Sequence, residues 1–294
     1  MVRSTSLVRS LIIGALCVVL AAATGCSALR LGYSQAPDLA YWWLDGYADF
    51  NGAQTPKVRD ALDQWFAWHR RTQLPDYANL LARAQAEMAV DTSAARVCEW
   101  QGELIKRAHV AWDRAAPAVA EVVLTVTPQQ IQHLEKRQAK SNADFRDDYL
   151  QADPRKRADE AVKRTVDRLE TLYGKLNEGQ RTYLAEALAR SPFDADAWYG
   201  ERLRRQQAMV AMLQQANGDG TSREQAMAAL NLQVEQFEHS PRDAYRRYSE
   251  RLNEFNCSLA ASLHNSTTPA QRKHAAHKLA GWEGDARALV AAAK

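Results

Sequence analysis

Much is scarce in this 294-residue chain, and each scarcity removes a class of reading. Glycine (13) and proline (9) are too few for a fold built on many tight turns. No alternation of apolar and polar β-branched residues runs long enough to lay down half-buried strands. The chain has no G-x-S-x-G elbow, P-loop, Rossmann glycine fingerprint or H-E-x-x-H pair, the local marks of hydrolases, nucleotide enzymes and zinc proteases. An excess of one charge is also missing. The 38 Lys and Arg stand against 35 Asp and Glu, too even a balance for a nucleic-acid partner. The one long apolar run, Leu11 to Ala23, is about 13 residues, too short to cross roughly 30 Å of hydrocarbon as a helix.

What is abundant is Ala, Leu, Gln, Arg and Glu, all good helix formers. The expectation is an all-α protein, a multi-helix bundle of short-looped antiparallel helices with one longer polar helical hairpin over residues 128–176. Helix starts are marked by a repeated device. Thr127/Gln130, Asn177/Gln180, Ser222/Gln225 and Thr268/Gln271 each place a cap residue three before a Gln, the spacing of a capping box. Ser191-Pro192 and Ser240-Pro241 read as further starts. Pro117 and the run Val119 to Val126 read as a fraying helix followed by a linker. That linker divides an N-terminal helical subdomain (37–126) from a C-terminal one (127–294). In the hairpin, Val162, Val166, Leu169, Tyr173 and Leu176 form a narrow seam that could project and bind a partner.

The first 25 residues carry Arg3 and Arg9, no acid, the short apolar run and small residues, the pattern of an export leader. Ala22-Ala23-Thr24-Gly25-Cys26-Ser27 then resembles a bacterial lipobox, in which the Cys26 thiol is acylated and becomes the new N-terminus. Ala22-Ala23-Thr24 also offers an ordinary signal peptidase a site. Without the leader, 36 basic residues face 35 acidic ones, and the mild basicity disappears. Residues 26–36 are expected to be a lipidated tether. Ser27, rather than Asp, after the Cys resembles the sorting pattern for the outer membrane in enteric-type bacteria. Of the two cysteines left, Cys98 and Cys257, an oxidising compartment would favour pairing, while burial as two separate thiols is the other outcome.

Candidate interaction residues fall in two groups. Trp68, His69, Arg70 and Arg71 end one helix; the arginines could meet an anion, or lie solvated at a C-terminus where the macrodipole favours cations. Trp198, Arg202 and Arg205 share a helix face that could clamp an anion, or simply hold snorkelling arginines over a tryptophan. The helix from Pro37 to Phe50 is apolar nearly all round and is expected to be buried, with Trp42 and Trp43 in a lipid headgroup layer as the second reading. Asp45 and Asp49, one turn apart, and His274 and His277, three apart, carry little weight as catalytic or metal pairs. No catalytic residue, metal or cofactor is expected.

Together with Cys26, the stretches YWWLDGYADF, WHRRTQLPDYANLL, LTVTPQQIQHLEKR and WYGERLRRQQ resemble an uncharacterised family of proteobacterial lipoproteins defined by a domain of unknown function. That resemblance implies an envelope address and no particular activity. Leu124-Thr125 to Gln130 also resembles the L-T-x-x-Q motif of small periplasmic chaperones of the Spy and CpxP type. The expected role is therefore a lipoprotein on the periplasmic face of the outer membrane. It would be held in the lipid bilayer by Cys26 and act as a non-catalytic interaction protein on another envelope protein. An ATP-independent periplasmic holdase is the alternative.

Overall fold

A computed structural model describes residues 28–217 and 220–292. Among these the chain forms helices alone, joined by short connections. In chain order they are α1 (Ala28–Ser34), α2 (Ala36–Ala48), α3 (Thr55–Thr72), α4 (Leu74–Glu87), α5 (Ala94–Val123) and α6 (Pro128–Tyr149). The second half contains α7 (Pro154–Tyr173), α8 (Glu178–Ala189), α9 (Ala195–Ala216), α10 (Arg223–Glu238), α11 (Asp243–Asn265) and α12 (Pro269–Ala291). The all-α multi-helix bundle is as expected.

All four expected capping boxes form, at α6, α8, α10 and α12. The two Ser-Pro starts do not. α9 is capped instead by Asp194, whose side chain accepts from the Ala197 N–H, and α11 begins at Asp243 without a side-chain cap. The linker expected at residues 119–126 is also corrected, because α5 runs through Pro117 to Val123. Proline removes one hydrogen bond from a helix interior. Here Ala116, Ala120 and Val123 on its inner face are buried, and that packing overrides the local break.

Two apolar clusters hold the bundle. One joins Ala120 and Val123 of α5, Ile131 of α6, Met212, Leu213 and Ala216 of α9, and Ala226 and Leu230 of α10. The other joins Val166 and Tyr173 of α7, Leu176, Leu184 of α8, Leu263 of α11 and Ala275 of α12. The most extensive packing among the described helices is of α4 along α12, and α5 lies along both α10 and α11. Helices from either side of residue 126 thus interleave, and the two expected subdomains are packed into one another.

The polar hairpin is corrected too. α6 packs on α2 and α9, whereas α7 packs on α8 and α12, so the two are not laid along each other. They meet around their turn, where the Arg164 guanidinium lies 4.4 Å over the Tyr149 ring and Arg164 Nη1 donates to the Asp148 carbonyl. The seam seen in the sequence is real, but its residues Val166, Tyr173 and Leu176 belong to the core rather than to a projecting arm.

Candidate functional site

Cys26 lies outside the described residues. The tether expected after it is corrected from Ala28 onward: residues 28–34 are α1, and α1 is docked on the body. Tyr33 hydroxyl and His69 Nδ1 share a 2.8 Å hydrogen bond, the Tyr33 ring meets Phe66 edge-on, and Arg30 pairs with Asp285 of α12 at 3.1 Å. An aromatic and an ionic contact to two different helices order a segment whose composition alone would leave it loose.

α2 follows directly. Its Tyr41 is buried, hydrogen-bonded to Thr55 Oγ1 (3.1 Å) and covered by the Arg59 guanidinium 3.8 Å above the ring. Arg59 also pairs with Asp38 at 2.7 Å. The opposite side is bare. Leu39, Trp42 and Trp43 retain 54, 68 and 66% of their surface, so the expected burial of this helix is overturned. The reason is geometric. α2 has α1, α3 and α6 as neighbours, and the 3.6-residue period sets Leu39, Trp42, Trp43 and Gly46 on the stripe away from Tyr41. Asp45 and Asp49 finish the helix: Asp45 Oδ1 accepts the Phe50 N–H, and Asp49 takes the left-handed conformation, φ 48°, as the cap.

Behind α1 stands the His69 group. The imidazole is buried, stacked on Trp65 at 4.8 Å, edge-on to Tyr77 at 5.2 Å and 6.3 Å from Trp68. Burial lowers the His69 pKa below its usual 6.5, so the ring is neutral at neutral pH. Burial also pushes the Tyr33 hydroxyl up to about 12, against the pull of the nearby Arg70 charge. Arg70 lies 5.3 Å over the Tyr33 ring, while Arg71 is exposed. The cluster clips α1 to α3; His69 is buried within it, Arg71 faces outward, and Arg70 and Trp68 are half-buried.

The second group does not converge. Trp198 is 39% exposed beside Phe193, 6.4 Å between centroids. Arg202 turns away to Asn142 Oδ1 (2.7 Å), Ser141 Oγ (2.8 Å) and the Phe145 ring. Arg205 turns the other way, donating to the Phe237 carbonyl (2.7 Å) and approaching Glu201 at 3.3 Å. Glu201, which sequence reasoning passed over, is fully buried with Arg204 at 2.9 Å, Arg205 at 3.3 Å and Arg242 at 3.4 Å. The spacing E-x-x-R-R carried the signal, since positions three and four apart share a helix face.

The capping glutamines do more than cap. Gln180 and Gln271 are buried and their amides pair reciprocally, each Nε2 donating to the other's Oε1 at 2.9 Å. Each Oε1 also accepts its own cap N–H, and the Nε2 groups reach the Ser266 and Lys175 carbonyls. Gln130 forms the same arrangement with Gln54, at 2.7 and 3.3 Å, and Gln54 sits three after Asn51 in a box of its own. Asn51-Gly-Ala-Gln54 matches Asn177-Glu-Gly-Gln180 in spacing, a signal available in the sequence. Replacing Gln271 by Leu should destabilise the protein by about 2–3 kcal/mol, because buried donors and acceptors lose their partners. The Gln180→Leu/Gln271→Leu double variant should lose clearly less than the sum of the singles in urea melts. Additive losses would mean that the two amides do not act as a unit.

Cys98 and Cys257 are bonded, with 5.6 Å between Cα atoms, fixing α5 to α11. His274 and His277 are exposed, and no group of three or more potential metal ligands of the His, Cys, Asp or Glu type occurs among the described residues. No described helix is long and apolar enough to cross a membrane. A cleft of about 290 Å³ between α4 and α5 is lined by Arg83, Arg96, Glu99, Trp100, Glu103 and Lys106, whose charges largely answer one another.

The sequence profile of a family of unknown function (DUF6279) matches residues 46–236. No curated protein and no solved structure matches the chain.

Proposed function

Since the chain belongs to the DUF6279 family, whose function is not known, its own residues must supply the reading. We propose that it is an envelope lipoprotein acting as a non-catalytic interaction protein. Cys26 carries the acyl anchor, and the body stands on the periplasmic face of the outer membrane against another envelope protein. The observation that carries this reading is the docked α1. It starts two residues after Cys26 and is fixed to α3 and α12 through Tyr33–His69 and Arg30–Asp285. An acylated Cys26 would hold the folded body within a few residues' reach of the bilayer rather than on a long leash, about 3.5 Å for each residue between.

A holdase activity is the second reading, favoured by Leu104 and Ile105, which stand exposed beside one another on α5. Growth of the producing bacterium with an alkyne-tagged fatty acid tests the first. The tag is expected on the wild-type protein in the membrane fraction and is expected to vanish in Cys26→Ala. An untagged protein, or one still carrying its leader in the cytosol, would overturn it.

A further inference from the structure

We propose that the bare stripe of α2, Leu39, Trp42 and Trp43, is a second membrane contact, lying in the headgroup layer of a phospholipid bilayer. This deepens the lipoprotein reading, on which it rests for the presence of a bilayer, by naming the surface that faces the lipid. Four observations converge on lipid as the occupant. First, tryptophan and leucine are large apolar side chains that usually bury most of their surface, yet these three are more than half exposed and adjacent on one helix face. Second, the composition suits an interface. Tryptophan is enriched where hydrocarbon meets headgroups, and a helix with one apolar side lies in that plane rather than spanning it.

Third, the position follows from where the chain leaves the described fold. The residue proposed to carry the acyl group, Cys26, lies two positions before Ala28. The two helices that follow are the ones exposing Leu29, Leu31, Leu39, Trp42 and Trp43. An acyl group on Cys26 and the stripe would therefore meet the same lipid surface. Fourth, the edges are prepared. Asp38, the acid flanking the stripe, is matched by Arg59, and on the other flank Tyr47 packs on Trp43 and lies 5.3 Å under the Arg137 guanidinium. Tyr41 on the reverse side locks the helix to the body. With an acyl chain at one point and the stripe at another, the body would be oriented on the membrane, not merely attached to it.

The chain from Ser27 onward retains every residue whose structure is described from Ala28, and it lacks Cys26. Mixed with phosphatidylcholine–phosphatidylglycerol vesicles bearing brominated acyl chains, it should co-sediment, and its tryptophan fluorescence should be quenched. Trp42→Phe/Trp43→Phe should still bind but lose most of the quenching, since the other six tryptophans stay on the body. Leu39→Ser/Trp42→Ser/Trp43→Ser should weaken co-sedimentation at least tenfold with an unchanged helical circular dichroism spectrum. Absence of vesicle binding by the wild-type sequence, or quenching that survives the Phe pair, would overturn the proposal. So would a dimer that the Ser variant dissolves while vesicles are ignored, which would assign the stripe to a second copy. Because the chain starting at Ser27 has no Cys26, its result is independent of acylation. A failed fatty-acid label would sink the anchor alone, and failed vesicle binding would sink the stripe alone.

Discussion

Replacing both members of the Cys98–Cys257 bridge by alanine should lower the unfolding free energy by about 5 kcal/mol and the melting temperature by about 10 °C. The bridge closes a loop of 159 residues, more than half the chain, so in the chain-entropy account it removes many conformations from the unfolded state. It also joins α5 to α11, the second most extensive helix pairing among the described elements, so the native packing needs no rearrangement to accept it. Cys257 is buried, and its truncation adds a small cavity loss to the entropic one. Reduction of the wild-type protein by dithiothreitol should reproduce most of the effect without that cavity. Melting curves that coincide with and without reductant would show that the bridge does not limit the unfolded chain. A bridge of this kind is at home in an oxidising compartment, in keeping with the export proposed for the chain.

How much of this could be read beforehand depends on how local each cause is. Capping boxes involve four consecutive residues, and those at Thr127, Asn177, Ser222 and Thr268 were legible for that reason. The helical class was legible from composition, because propensity summed over long windows is informative. Pairing of the capping glutamines across 76 and 91 residues was not, since a Gln at N3 satisfies its own helix before it shows any need of another. Pro117 is a misleading sign because its local hydrogen-bond loss is opposed by the burial of Ala116 and Ala120, which depends on distant helices. The 128–176 pair misled differently: a narrow seam states that a helix has one partner face, not which helix fills it.

The site was half legible for the same reason. His69 and its aromatic neighbours were marked by their crowding in one stretch, yet their partner Tyr33 came from a segment that looked like a tether. The exposure of Trp42 and Trp43 could not be inferred, because an apolar residue is consistent with a core and with a lipid surface alike. Only the placement of α1, α3 and α6 on the Tyr41 side shows that Trp42 and Trp43 lie outside the core.

Glu201→Ala should destabilise the protein by about 3 kcal/mol, and Glu201→Gln by about half as much. The carboxylate is wholly enclosed, but it is met by Arg204, Arg205 and Arg242, from two segments of the chain. Removing one member of a buried charge cluster leaves the others uncompensated, at about 3–5 kcal/mol when all are buried. Here the three guanidinium groups keep partial access to water, which places the expected loss at the lower end. Gln preserves the shape and one acceptor but not the charge. Burial alone would raise the Glu201 pKa; hydrogen bonds from Arg204 and Ser240 and the charges of Arg204 and Arg205 outweigh it and hold it below the usual 4.5. The unfolded chain therefore binds the proton at higher pH than the folded one does. The stabilisation is complete above about 4.5 and is lost as pH falls through the lowered folded value. Urea melts at pH 7 and at pH 3 test both statements: the gap between wild type and Glu201→Gln should be widest at pH 7 and should narrow on acidification. A gap that is the same at both values would place the worth of Glu201 in its packing rather than in its charge.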